Sequence, residues 1–188
     1  MKAFDFDNTL YHGESSVDFA IYMIRKNKRI ILWLPTIFYN LIKYKLCLVG
    51  RDEMENTINR FLKACFTDKD EILGDTADFW RRNRKKLDMK MIGRIKKDDI
   101  IITAGPSFLF EVIKKKLGTG NMICSEIDLD RKCVKYLNFS DNKVRRYREV
   151  YGERRLDCFF TDSYNDKALM DISDKVYLVD KGRIKRIR

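Results

Sequence analysis

The chain has 188 residues, 45% of them hydrophobic, with 39 Lys and Arg against 28 Asp and Glu for a formal net charge of +11. That length and apolar fraction suit one domain, or one domain with a smaller insert, and exclude a disordered, fibrous or repeat protein. The basic balance admits nucleic acid, an anionic membrane or a phosphorylated substrate as partner. It is spread over short groups at residues 25–29, 81–86, 114–116, 145–148 and 183–188, with no nucleic-acid-binding motif. Solvated helix faces are the simpler reading, and no specific nucleic-acid partner is expected.

Residues 3–6 read as a short apolar strand carrying Asp5, and Asn8 and Thr9 suit the turn that follows Asp7. Asp5 and Asp7 are two apart, so on an extended chain they point to the same side. A carboxylate in an apolar strand is costly to bury unpaired, and two together ask for a hard, oxygen-seeking cation such as Mg²⁺. Met1-Lys2 runs straight into this stretch with no secretory signal. The five cysteines, Cys47, Cys65, Cys124, Cys133 and Cys158, include no Cys-x-x-Cys pair. Both features lead us to expect reduced thiols in a cytoplasmic protein. His12, the single histidine, reads as an exposed loop residue ahead of a substrate contact.

Ser15 is expected to cap a helix, with Asp18 three residues on. Residues 30–42 then carry no charge, with Arg25, Lys26, Lys28 and Arg29 before them and Lys43 and Lys45 after. This is short of the ~18–20 residues that span a bilayer. Pro35 suits a helix start or a kink. Two readings stand: a helix packed on its neighbours, which we prefer, or one lying in a membrane interface with Trp33 and Tyr39 at the headgroups. Gly50 breaks the pattern. Met54, Ile58, Phe61, Leu62 and Cys65 recur at helical spacing, and residues 67–71 read as the acidic start of another helix with Ile72, Ala77, Phe79 and Trp80 apolar. Residues 14–90 thus form an all-helical insert.

The period then changes. Residues 100–103 are a continuous apolar strand, residues 104–107 a turn, and residues 108–117 a helix stopped by Gly118. Strands are expected at 121–125 and 133–139, a helix at 140–151, and a strand at 156–161 that runs into Asp162 and Asp166. A helix at 168–172, a strand at 176–179 and an edge strand or tail from 183 complete the chain. Strands alternating with helices predict an α/β fold with a parallel sheet. Ligands of such sheets lie outside the carboxyl ends of the strands, where Asp7, Thr103 and Asp162 fall.

Asp5-Phe6-Asp7-Asn8-Thr9, then Thr103, Lys143 and the pair Asp162 and Asp166, resemble in order the four motifs of the haloacid dehalogenase (HAD) superfamily. The resemblance covers nearly the whole chain and is closest to the phosphoserine phosphatase-like branch. It implies a Rossmann-like doubly wound parallel sheet from residues 1–13 and 91–188, with an all-helical cap, residues 14–90, inserted after the first strand. It also implies a Mg²⁺-dependent phosphatase. Asp5 matches the nucleophile that forms an aspartyl-phosphate, and Asp7 the general acid/base. The metal would be held by Asp5, by Asp7 through its backbone carbonyl, and by Asp162, with Asp166 holding its waters or ligating directly. Thr103 matches a phosphate-binding hydroxyl, helped by the N–H groups of Ala104 and Gly105, and Lys143 matches the cation on the phosphate. Relatives often carry a glycine a few residues before that lysine, where Ser140-Asp141-Asn142 stands here. Lys132, Lys135 and residues 114–116 are rivals for its role.

The substrate is open between a phosphoserine-like small molecule and a lipid-linked phosphate. The bulky apolar cap with its basic flanks favours the larger one, with peripheral contact at the inner face of a membrane. The alternatives are a non-catalytic basic binding protein on the same fold, against which the intact carboxylate pairs weigh, and a phosphotransferase. The sequence does not report the oligomeric state.

Overall fold

In this computed structural model residues 1–45, 51–66 and 68–188 are described, and among them seven strands pair into one sheet. In chain order they are β1 (Lys2–Phe4), β2 (Ile100–Pro106), β3 (Met122–Asp128), β4 (Cys133–Tyr136), β5 (Cys158–Thr161), β6 (Val176–Asp180) and β7 (Arg183–Arg186). Their order in space is β4-β3-β2-β1-β5-β6-β7, parallel except at the two antiparallel edges, β4 and β7. The chain builds outward from β1 on one side, then crosses to β5 on the other. That makes β1 the switch point at which a doubly wound sheet binds its ligands.

Successive residues of each central strand face opposite sides. Ala3, Ile100, Ile102 and Phe159 pack with Tyr147, Leu169 and Met170 on one face, while Phe4, Ile101 and Phe160 pack on the other. Burial on both faces explains why these strands read as unbroken apolar runs. Phe4 stacks on Phe160, and Phe160 on Tyr177, with ring centroids 4.7 and 4.8 Å apart. The result is an aromatic row across β1, β5 and β6.

Among the described residues five α-helices separate β1 from β2: α1 (Ser15–Lys26), α2 (Leu34–Lys45), α3 (Arg51–Cys65), α4 (Lys69–Asn83) and α5 (Met89–Ile92). A 3₁₀ segment, Lys28–Trp33, joins α1 to α2. Asp68 caps α4, its carboxylate accepting from the N–H groups of Asp70 and Glu71. Among the described residues the insert shares its core with the sheet. Phe19 and Tyr22 of α1 and Phe79 and Trp80 of α4 belong to one cluster with Phe4, Phe6, Phe108 and Phe110. Among the described residues no helix is long and apolar enough to cross a membrane. After β2 come α6 (Ser107–Glu111), α7 (Asp141–Tyr151) and α8 (Lys167–Asp171).

Several boundaries differ from the sequence reading. Ser15 is the first residue of α1 and not its cap; Glu14 holds the cap position without a side-chain bond, and the Ser15 N–H is taken by Asp7. Residues 30–42 are not one helix. A 3₁₀ turn ends at Trp33, and Pro35 sits in the first turn of α2, where its missing N–H would have had no partner. Of the turn expected at 104–107, the first three residues are the end of β2, whose pairing with β3 slips register between Ile102 and Pro106, and Ser107 opens α6. The helix expected at 108–117 stops at Glu111, and a 3₁₀ turn at Lys114–Lys116 follows the β-branched pair Val112 and Ile113. β1 ends at Phe4, although the Asp5 N–H still donates to Phe160 O at 2.8 Å. Ala77 lies on the exposed face of α4. The break at Gly50, together with Cys47 and Thr67, lies outside the described residues.

Candidate active site

The carboxyl ends of β1, β2 and β5 converge on a buried ion-pair network. Asp5 follows β1 directly, and Lys143 lies in the first turn of α7. Asp166 closes a 3₁₀ turn, Tyr164–Asp166, after β5. Lys143 Nζ is 3.2 Å from Asp5 Oδ1 and 2.7 Å from Asp166 Oδ1. The second oxygen of Asp166 accepts from Thr161 Oγ1 at 3.0 Å, so both of its oxygens are engaged. All three charged side chains are buried, as is Thr103. Lys143 is thus the lysine that reaches this centre. Its rivals Lys114 and Lys135 pair elsewhere, with Glu111 and Asp128.

Asp7 sits in the loop after β1, where its Oδ1 accepts the Ser15 N–H at 2.6 Å. The loop turns tightly because the N–H groups of Thr9, Leu10 and Tyr11 all approach Phe6 O. Asn8 has φ +54°, a left-handed conformation that asparagine tolerates. Its side chain donates to Glu14 Oε1 at 2.8 Å. Thr103 Oγ1 accepts the Gly105 N–H at 3.1 Å, which leaves the hydroxyl proton free to donate outward. His12 is exposed and faces Asp88 on the outer side of the loop, Nε2 to Oδ2 3.6 Å.

Electrostatics follow from burial and crowding. Burial pushes the Asp5 carboxyl well above the usual carboxylate range; Lys143 pulls it down, while Asp166, Asp7 and Asp162 push it further up. Asp7 is pushed up to about 6 by burial, with its hydrogen bonding to Ser15 opposing the rise. Asp162, half-buried, is raised by burial as well. For Lys143 burial works against the charge, but Asp5 and Asp166 outweigh it and hold the ammonium protonated. One buried cation therefore faces four carboxylates. Among the described residues, no group of three or more His, Cys, Asp or Glu side chains is close enough to hold a metal ion unaided. The all-oxygen donors and the surplus negative charge still fit Mg²⁺, which takes one or two carboxylates and completes its shell with waters and substrate phosphate.

Sequence reading missed the support behind β2. Asn138 is fully buried, and its Nδ2 donates to Thr103 O at 2.7 Å and to Ile123 O at 3.2 Å. Ser125 Oγ donates to Ala104 O at 2.6 Å and accepts the Asn138 N–H at 2.9 Å. These two side chains hold the carbonyls of Thr103 and Ala104 where β2 bulges. Neither residue forms a local motif with the other, so no sequence signal marked them.

A family model described as haloacid dehalogenase-like hydrolase matches residues 3–171. The chain belongs to this family. Among solved structures it is similar to a protein of unknown function from Bordetella pertussis Tohama I, with TM-score 0.75 and 17% identity over 94% of this chain and 87% of that one. It is also similar to a phosphoserine phosphohydrolase-like protein from Francisella tularensis subsp. tularensis SCHU S4, with TM-score 0.61 and 16% identity over 93% and 84% of the two chains. A phosphoserine phosphatase in a phospho-aspartyl intermediate analogue state has TM-score 0.52 and 12% identity, covering 93% and 83%. No curated protein matches the chain. The HAD fold, in the form shared by these phosphoserine phosphatase-like proteins, is therefore the fold of this chain, and the family makes it a hydrolase.

Proposed function

We propose that the protein is a Mg²⁺-dependent phosphomonoesterase that works through an aspartyl-phosphate on Asp5. The observation that carries this reading is the buried lysine between two carboxylates, Lys143 between Asp5 and Asp166, beside Thr103 at the switch point of the sheet. In this reading Asp5 attacks phosphorus while Lys143 and the Thr103 hydroxyl take the charge of the phosphoryl oxygens, with backbone N–H groups at Ala104 and Gly105 beside them. Asp7, pushed up to about 6, holds the proton that the leaving alcohol needs and then takes one from the hydrolytic water. Asp166, with both oxygens engaged, orients Lys143 and acts on a metal only at second hand. Mg²⁺ would be held by Asp5, the Asp7 carbonyl and Asp162, and would neutralise the charge that otherwise repels a carboxylate from a phosphate.

We assign residues 1–13 and 91–188 to the catalytic core and residues 14–90 to a helical cap that selects the substrate. The enzyme acts in the cytoplasm on a small-molecule or lipid phosphomonoester, the lipid being favoured by the apolar and basic cap, which would make peripheral contact with the inner membrane face. The test is phosphate release from phosphoserine, sugar phosphates, nucleotides and a phosphatidylglycerophosphate-type lipid, with Mg²⁺ or EDTA. Metal-dependent turnover that Asp5→Asn abolishes supports the reading. Turnover of none of them by folded protein in Mg²⁺ would favour the non-catalytic binding protein, and transfer to added alcohols the phosphotransferase.

A further inference from the structure

Helix α1 begins at the catalytic loop, where the Ser15 N–H is bonded to Asp7, and runs twelve residues away from it. At 1.5 Å per residue that is roughly 18 Å. Val17 and Ile21 are large apolar residues left 54% and 45% exposed on it, and Arg25 follows at the same spacing of four. Residues four apart share one face of a helix, so an apolar stripe leads from the site mouth to a basic end. The 3₁₀ segment Lys28–Trp33 continues it. Ile30 is fully buried and Trp33 packs edge-on against Phe61, ring centroids 6.4 Å apart, whereas Ile31 and Leu32 between them are 51% and 75% exposed. Anchors on both sides keep those two aliphatics from folding back into the core. Arg25, Lys28 and Arg29 are exposed and pair with no acid among the described residues, unlike Lys26, which is bonded to Asp75.

We propose that α1 and this 3₁₀ segment form an edge that docks on an anionic phospholipid surface and leads a lipid-linked phosphomonoester to Asp5. Ile31 and Leu32 enter the acyl boundary, Arg25, Lys28 and Arg29 meet the lipid phosphates, and the Val17–Ile21 stripe receives the apolar part of the substrate. A second copy of the chain is the poorer occupant. Two-fold pairing of this edge would bring two basic patches together, and two aliphatic side chains fall far short of the ~800 Å² per partner of a stable interface. The proposal rests on the phosphatase reading for its substrate, but not for docking.

The experiment is flotation of the full chain with phosphatidylcholine vesicles, with and without phosphatidylglycerol, run beside turnover of soluble para-nitrophenyl phosphate. The wild type is expected to float with the anionic vesicles and to be released by salt. Ile31→Ser/Leu32→Ser and Lys28→Glu/Arg29→Glu should each lose roughly tenfold in vesicle partition. Neither pair touches the catalytic residues, so soluble turnover should stay unchanged and reports that the fold is intact. Wild type that binds anionic and neutral vesicles equally, double variants that float as well as wild type, or a dimer that either double variant dissolves would each overturn the docking edge. Docking without turnover in any form would uphold this edge while sinking the phosphatase reading.

Discussion

At the scale of single residues, the site is built against stability. Asp5 is buried with its carboxyl raised, and Lys143 keeps a second partner in Asp166 when Asp5 loses its charge. Asp5→Asn should therefore cut phosphate release on the order of 10³-fold or more while raising the melting temperature of the metal-free protein. Added Mg²⁺ should stabilise the wild type, by about 2.7 kcal/mol at a hundredfold excess over its Kd, and the variant much less. Differential scanning calorimetry in EDTA and in Mg²⁺ checks both. Asp7 gives a pH dependence of definite sign. Its value rises from 3.8 unfolded to about 6 folded, so its stabilising contribution is complete below 3.8 and is lost as the pH climbs through about 6. With its partial exposure that loss is roughly 2 kcal/mol. Metal-free wild type should lose stability relative to Asp7→Asn over that window, and parallel unfolding curves for the two proteins from pH 4 to 7 would contradict the assignment. The sequence carried the residue types and their order, hence Asp5, Asp7, Thr103 and Lys143. It could not carry the partner of Asp166, because the Lys143 contact joins positions 23 apart whose pairing only the packing of α7 against α8 and the sheet decides.

At the scale of elements, two local conformations set the ends that carry Lys143 and Thr103. Ser140 precedes α7 with φ +52° and ψ −127°, a backbone state that suits glycine and strains a serine. This gives a physical reason for the glycine that relatives often carry ahead of the lysine, and for the departure noticed in this sequence. Ser140→Gly should add about 1 kcal/mol, a rise of ~2–4 °C in melting temperature, with Lys143 unmoved. A lower melting temperature would mean that the turn relies on the serine side chain. At the end of β2 the constraint is reversed. A Cβ on Gly105 would come within 2.6 Å of Phe110 Cζ, and Phe110 packs at 4.7 Å on Phe6, between Asp5 and Asp7. Gly105→Ala should cost about 1–3 kcal/mol and lower activity together with stability, read from chemical denaturation and phosphate release. The elements themselves were largely legible, because parallel strands buried on both faces read as apolar runs and α4 announces itself with Asp68. The bulge in β2 and the early end of α6 were not legible. Ala104-Gly105-Pro106 carries turn chemistry, and only pairing with β3, held by Ser125 and Asn138, keeps it extended.

At the scale of the molecule, the helical insert and the sheet are separate in sequence but continuous in packing. Trp80 of α4 is buried, donates its indole N–H to Leu109 O, and meets Phe6 and Tyr11 edge-on at 6.1 and 5.6 Å. The same indole thus touches the insert, the loop after β1 and the segment after β2. Periodicity predicted helices between residues 14 and 90, but not that α1 and α4 complete the cover on one face of the sheet. Amphipathic spacing names a buried stripe without naming what buries it. If the insert moved as an independent cap it would melt on its own; with a shared core it should unfold with the sheet in one transition whose calorimetric and van't Hoff enthalpies agree. Trp80→Ala should cost about 3–5 kcal/mol and shift that single transition down without splitting it. A separate low-temperature transition assigned to α1–α4 would mean instead that the insert can leave the sheet while the core stays folded. Opening of the site would then be a rigid-body motion. With a shared core it must come from the segments that pack least on that core.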